Sequence, residues 1–189
     1  MRVITGSARG RRLKELEGME TRPTTDRVKE GLFSALQFDI EGRRVLDLFA
    51  GTGQLGIECL SRGATSAVFV ERRPDAVQLI RDNLRTTELQ DRARVVAGEA
   101  MAFLEAREKF DLVFLDPPYQ SGLLEQALDR LTRFDILNPH GIIVAEHPAD
   151  RRLPPLPPPY RLRRTYRYGK IAVSLYRREP DQENEEQRP

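Results

Sequence analysis

The chain has 189 residues, 39% of them hydrophobic and 32% charged, with a formal net charge of +2. That is enough for one domain with a full core, and no apolar run approaches the ~20 residues of a membrane span. One cysteine, Cys59, and two histidines, His140 and His147, exclude an internal disulfide and leave no metal-ligand spacing, and no charged-then-apolar segment opens the chain, so the expected compartment is the cytoplasm.

In chain order, residues 1–14 alternate weakly, with Val3, Ile4 and Leu13 set around Gly6-Ser7-Ala8-Arg9-Gly10. Glycines at such a bend predict a hairpin that turns its arginines outward. Arg22-Pro23-Thr24-Thr25-Asp26 follows, where Thr24 or Thr25 can cap a helix and Asp26 suits the positive end of its dipole. Val28, Leu32, Ala35 and Leu36 supply that helix's apolar stripe. From Arg43 strands and helices alternate. Residues 45–49 read as a short strand carrying Asp47, 51–56 as a turn, and 55–61 as a helix start. Residues 67–70 are a second strand closed by Glu71, and 74–84 a helix with Pro74 early, where proline is tolerated. Residues 94–97, then Gly98-Glu99-Ala100 and a helix through Arg107, form a third unit. Residues 110–115 are a fourth strand, 123–131 a helix and 141–146 a fifth strand. This alternation predicts an α/β fold with a parallel sheet covered on both faces. Residues 153–159 are proline-rich and read as an extended linker. Residues 160–168 and 170–177 alternate about Tyr168-Gly169-Lys170, a hairpin that finishes the sheet antiparallel at one edge. Residues 179–189 are acidic and apolar-poor, which predicts disorder.

The net charge hides a strong division. The tail carries Glu179, Asp181, Glu183, Glu185 and Glu186 against Arg188. Residues 1–14 hold Arg2, Arg9, Arg11, Arg12 and Lys14 with no acid, and residues 151–178 hold eight arginines, Arg164 and Arg167 among them, and Lys170, again with no acid. Two basic ends fit a polyanion such as nucleic acid, or else a solvated arginine-rich surface.

Gly51-Thr52-Gly53-Gln54-Leu55-Gly56 has the spacing of a dinucleotide fingerprint, with Glu71 at the right remove to hold a ribose. A nicotinamide cofactor would set its pyrophosphate against this turn, and Asp47 just before the turn disfavours that anion. An acid there suits the ammonium and sulfonium of S-adenosylmethionine, since an opposite charge at ~4–6 Å is favourable. Glu71 then takes the ribose hydroxyls, and Glu99, with the Ala100 N–H, reaches the adenine amine. Each acid alone also reads as a solvated loop residue. Three acids closing three successive strands fall where open α/β sheets bind ligands.

Asp116-Pro117-Pro118-Tyr119 follows the fourth strand. Two prolines cannot continue a sheet ladder, so the acid sits on a stiff loop beside carbonyls without ladder partners. The bland reading is a turn that ends a strand. The chemical reading is a set of acceptors and a flat ring that bind a planar group with an exocyclic –NH2. The Asp116 carboxylate and the Pro117 carbonyl accept its two N–H bonds, and Tyr119 stacks on the base. Methyl transfer in line then needs mostly positioning and electrostatics.

The residues quoted so far carry a resemblance. Arg9-Gly10-Arg11, Arg22-Pro23-Thr24-Thr25-Asp26-Arg27-Val28-Lys29-Glu30, Leu46-Asp47-Leu48-Phe49-Ala50-Gly51-Thr52-Gly53, Leu115-Asp116-Pro117-Pro118-Tyr119 and Tyr168-Gly169-Lys170 resemble the RsmD-like methyltransferases of guanine N2 in bacterial small-subunit ribosomal RNA. The resemblance implies a Rossmann-like class I S-adenosylmethionine-dependent fold over residues 21–178, a mostly parallel sheet with an antiparallel C-terminal strand. A basic hairpin extension (1–20) precedes it and a disordered acidic tail (179–189) follows. It implies that Arg22 and Thr24 lie near the donor with Asp47, Phe49, Gly51, Gly53, Glu71, Glu99 and Ala100. It implies that the product is S-adenosylhomocysteine and the partner 16S ribosomal RNA in the small subunit, with the enzyme a monomer. The tail and Pro154–Pro159 depart from the pattern, and the position of Glu99 varies in the family. An adenine-N6 methyltransferase uses the same acid-Pro-Pro-aromatic unit. A nicotinamide-dependent reductase and a non-catalytic RNA-binding protein are the readings from other classes.

Overall fold

Along the fourth strand Leu112 and Phe114 pack into one core, and Val113 and Leu115 into another. Ala67 and Phe69 are divided from Val68 and Val70 in the same way. Strands apolar on both faces demand a sheet covered on both sides. The computed structural model describes residues 1–16 and 26–180. Its elements are α1 (Asp26–Ala35), β1 (Arg44–Asp47), α2 (Gln54–Ser61), β2 (Ser66–Glu71), α3 (Pro74–Thr87), a short 3-10 turn, β3 (Ala93–Ala97), α4 (Ala100–Leu104), β4 (Phe110–Leu115), α5 (Leu123–Arg133), β5 (Leu137–Pro148), β6 (Tyr160–Tyr168) and β7 (Ile171–Arg178).

The seven strands form one sheet in the order β3-β2-β1-β4-β5-β7-β6. The first five run parallel, and β7 is antiparallel to both of its neighbours. One core holds α1, α2 and α3 against the sheet, and the other holds α4 and α5. Chain order reverses between β1 and β4, so their carboxyl ends open the crevice where such sheets bind ligands.

The expected α/β architecture is the one observed, with differences at element ends. Strand β1 stops at Asp47 rather than residue 49, because the chain turns into the glycine loop. Helix α4 ends at Leu104, short of Arg107, which takes a left-handed φ of 53°. The C-terminal hairpin finishes the sheet as expected, with β7 antiparallel between β5 and β6 and β6 at the edge. Glu179, the first residue of the expected disordered tail, is held: its N–H donates to the Pro159 carbonyl at 2.8 Å and its carboxylate pairs with Arg163. Residues 181–189 and the capping residues Thr24 and Thr25 lie outside the described residues.

Helix α2 is buried from Leu55 through Ser61, which requires a cover on its outer side. The amino-terminal hairpin is that cover. Its strands pair through the Val3 N–H on the Arg11 carbonyl (3.0 Å) and the Gly10 N–H on the Val3 carbonyl (2.9 Å), and Val3, Ala8 and Leu13 enter the α1–α3 core. Glu58 of α2 satisfies the hairpin backbone. Its carboxylate accepts the N–H groups of Ile4 (2.9 Å) and Thr5 (3.0 Å), and pairs with Lys29 of α1 (3.2 Å) and with Arg62 (2.9 Å). Both Glu58 and Lys29 are fully buried. Gly6 comes so close to α2 that a Cβ there would stand 1.8 Å from the Ser61 carbonyl oxygen, and its φ is +91°, so no other residue fits. The hairpin is therefore a docked part of the structure, with its turn against α2 and Arg2, Arg9, Arg11 and Arg12 exposed.

Candidate active site

Two carboxylates hold the glycine turn. Asp47, only 2% exposed, accepts the Gly56 N–H at 3.1 Å and so ties the end of β1 to the first turn of α2. Glu71, at the end of β2, accepts the Gly51 N–H at 3.0 Å and the Arg73 N–H at 2.9 Å. Gly53 sits at φ 78° with Ile80 3.2 Å from where its Cβ would be, so the turn needs glycine there. Burial pushes the Asp47 carboxyl up to about 7, against the Gly56 N–H, which lowers it, and with help from the nearby Glu71 charge. Asp47 is thus a brace inside the turn, with little surface for a ligand to touch, where the sequence reading put it beside the ligand's cation.

The folded chain keeps the Asp47 proton up to about pH 7, whereas the unfolded chain releases it near 3.8, so stability falls as pH rises between those values. Urea unfolding of wild type and Asp47→Asn at pH 5 and pH 8 checks this. Wild type should lose roughly 2–3 kcal/mol more than the variant over that interval, at 1.36 kcal/mol per pKa unit.

The remaining expected donor residues are spread along the same sheet edge. Gly51 opens the turn, with nothing within 4 Å of its Cβ position, and Phe49 is half-buried just before it. Glu99 is the residue before α4, with its side chain 66% exposed and 3.8 Å from Arg72. Ala100, the first residue of α4, is buried. Arg22 and Thr24 lie outside the described residues.

Beyond β4 the Asp116-Pro117-Pro118-Tyr119 loop is built into its surroundings. Pro117 is buried. Asp116 continues the side of β4 on which Leu112 and Phe114 lie, and with Leu32, Leu55, Phe114, Val144, Glu146 and Val173 it lines one small cavity. The Tyr119 hydroxyl donates to Glu146 at 2.8 Å, and the Tyr119 carbonyl accepts from Arg151 at 3.2 Å. Arg151 is itself paired with Glu125 of α5. The ring at this loop is therefore anchored by its phenol end. Sequence reasoning missed Glu146 and Arg151: the first read as the end of a strand, the second as one more arginine of a basic arm. Acceptors, a fixed ring and an apolar floor can together hold a flat heterocycle by its exocyclic amine.

The basic residues divide by what they touch. Arg2, Arg9, Arg12 and Lys170 are exposed. Arg11 donates to the Thr86 carbonyl (2.6 Å) and pairs with Glu88 (3.0 Å), which commits it to the end of α3. Arg164 lies 5.0 Å over the Tyr166 ring, and Arg167 donates to the Ala149 carbonyl. The acid-free stretch 151–178 finds acids in space. Arg177 pairs with Asp39 at 2.9 Å, and buried Arg178 binds Asp135 at 2.8 Å, drawing that carboxyl down to about 2. Arg167, Tyr168 and Gly169 line a cleft of about 350 Å³ with Arg27 and Val28 of α1, so Arg27 joins the basic face.

Among the described residues no cluster of three or more possible ligands could hold a metal ion, and no helix is long and apolar enough to cross a membrane. The profile of the family described as conserved hypothetical protein 95 matches residues 1–177. The Bacillus subtilis (strain 168) protein YlbH is 42% identical over 182 residues, covering 94% of this chain and 99% of that one. The Escherichia coli (strain K12) ribosomal RNA small subunit methyltransferase D is 38% identical over 186 residues, covering 98% and 93%. A solved structure of the Escherichia coli protein yhhF superposes with a TM-score of 0.86 at 39% identity, over 95% of this chain and 98% of that one. On these matches, and with the glycine turn and the Asp-Pro-Pro-Tyr loop in their places, the chain belongs to the conserved hypothetical protein 95 family, which it shares with the ribosomal RNA small subunit methyltransferases D.

Proposed function

We propose that this protein transfers a methyl group to the exocyclic N2 amine of a guanine in 16S ribosomal RNA, on the small subunit or a precursor of it. The observation that carries the reading is the pairing of two half-sites across the β1–β4 crevice: the braced glycine turn with Glu71 on one side, and Asp116 with the anchored Tyr119 on the other. The methyltransferase relative in Escherichia coli, 38% identical over nearly the whole chain, supports the substrate class.

S-adenosylmethionine fits the first half-site, where the turn offers open space at Gly51 with the Glu71 carboxylate beside it; when bound it supplies an electrophilic methyl group and leaves as neutral S-adenosylhomocysteine. Gly51, Gly53 and Phe49 would hold it at the turn, Glu71 at the ribose, and Glu99 and Ala100 at the adenine. Arg22 and Thr24 belong to the same proposal. Asp47 supports the donor site by bracing the turn.

The second half-site prepares the nitrogen. An aryl amine is a weak nucleophile because its lone pair is delocalised into the ring. The Asp116 carboxylate and the Pro117 carbonyl accept its two N–H bonds and draw the nitrogen toward a tetrahedral form, which exposes the lone pair. As the nitrogen–carbon bond forms, one N2 proton becomes acidic and passes to Asp116 or to water. Tyr119 stacks on the base and excludes water from that face. Arg2, Arg9, Arg12, Arg164, Arg167 and Lys170 hold the surrounding phosphates, and Arg27 extends that surface. A base within a helix has to leave its stack to enter the site.

Thermal unfolding tests the donor side. S-adenosylhomocysteine at 100 times its Kd should stabilise the protein by about 2.7 kcal/mol, whereas a reduced nicotinamide dinucleotide should give no shift. The opposite pattern would reverse the assignment of the glycine turn.

A further inference from the structure

The Asp-Pro-Pro-Tyr loop explains amine binding but does not distinguish guanine from adenine, since each carries an exocyclic amine. The neighbouring strand carries a second acid. Leu115 of β4 is in register with Ala145 of β5, so Asp116 and Glu146 are the next residues of the two strands. Each lies on the α1 side of its strand. Asp116 follows Leu112 and Phe114, and Glu146 follows Ile142 and Val144, all four in the α1–α3 core. Both acids line the same small cavity. Adjacent strands lie about 4.8 Å apart, so the cavity presents two carboxylates side by side. Glu146 is 9% exposed and accepts the Tyr119 hydroxyl at 2.8 Å. An ionised carboxylate has about four acceptor positions and no donor, so one carboxylate can accept several hydrogen bonds at once.

Guanine presents N1–H and N2–H2 next to each other on its Watson–Crick edge. Adenine presents an acceptor, N1, beside its N6 amine. An acceptor-only pair of carboxylates therefore matches the guanine edge and opposes the adenine edge. We propose that Glu146 is the specificity-determining residue of this site: its carboxylate accepts the guanine N1–H while Asp116 accepts the N2 amine, and a base with an unprotonated N1 is rejected. This rests on the reading of Asp116 as the amine acceptor. The Tyr119–Glu146 bond then links base choice to the ring that stacks on the base.

The test uses small-subunit RNA with guanine, 2-aminopurine or adenine at the methylated position, and compares kcat/KM for wild type, Glu146→Gln and Tyr119→Phe. 2-Aminopurine keeps the N2 amine but has an unprotonated N1. Wild type should prefer guanine over 2-aminopurine by roughly 10–100-fold, the range of one good base-edge contact. Glu146→Gln, whose amide can donate to an unprotonated N1, should bring that ratio to within a few-fold of one, by losing on guanine and gaining on 2-aminopurine. Tyr119→Phe should lower both rates and leave the ratio as in wild type. An unchanged thermal midpoint and S-adenosylhomocysteine shift for Glu146→Gln show that the variant is folded. A selective wild type with the same ratio in Glu146→Gln overturns this proposal alone. A wild type that methylates none of the RNAs overturns the amine-methylation reading and this proposal with it.

Discussion

Asp116→Asn should lower kcat by roughly 10²–10³-fold, the cost of losing one preorganised electrostatic contact at a reacting centre. The substitution preserves shape and volume. It replaces one carboxylate oxygen with an –NH2 that points a donor at a donor, and it removes the negative charge that stabilises the developing positive nitrogen. The donor half-site is left alone, because Asp47 and Glu71 brace the glycine turn without Asp116. The S-adenosylhomocysteine thermal shift should therefore match wild type. Single-turnover methylation with saturating RNA measures the chemical step directly. A wild-type rate in that assay would remove Asp116 from the reaction.

Glu58→Ala should destabilise the fold by roughly 3–5 kcal/mol, as for other buried pairs that lose one partner. Four donors converge on this carboxylate: Lys29, Arg62 and the N–H groups of Ile4 and Thr5. Its loss strips Lys29 of its carboxylate in a place with no solvent, and leaves two hairpin N–H groups without their acceptor. Lys29→Met should cost less, since Glu58 keeps Arg62 and the two N–H groups. Urea unfolding of the two variants gives the comparison, and proteolysis of Glu58→Ala should cut first in the amino-terminal turn. Because domains are stable by only about 5–15 kcal/mol, the variant sits close to the unfolding threshold at 37 °C. Equal costs for the two substitutions would contradict the account of Glu58 as the hub.

Much of this arrangement is legible in the chain. Apolar runs such as residues 112–115, each followed by a helical period, define the strands and their covered sheet. The acids at strand ends mark the edge where ligands bind, and the double proline after Asp116 marks a loop that cannot join the ladder. What escaped the reading are roles set by contacts distant in sequence. Glu58 sits in Leu55-Gly56-Ile57-Glu58-Cys59-Leu60, a helix without a polar face. That pattern was the available signal that something covers its outer side, and the hairpin 53 and 54 residues earlier does so. In the sequence Glu146 reads as an acid closing a strand, like Glu71; it lies within β5, and only the register of β4 against β5 sets it beside Asp116. Asp47 was placed at the right end of the right strand, but spacing carries no information on burial, so its part as an internal brace was hidden. Charge counts along the chain overstated the basic face, because Asp39, Asp135, Glu125 and Glu88 neutralise arginines far from them in sequence.

The claim at the centre of this account is that Asp116 and its loop direct a methyl group onto guanine N2 of small-subunit ribosomal RNA. Small subunits from cells lacking this protein, incubated with it and with methyl-labelled S-adenosylmethionine, then digested to nucleosides and resolved by mass, test it most directly. The expected result is label in N2-methylguanosine alone, at one position of 16S ribosomal RNA. Label in N6-methyladenosine, or none in the RNA, would contradict it.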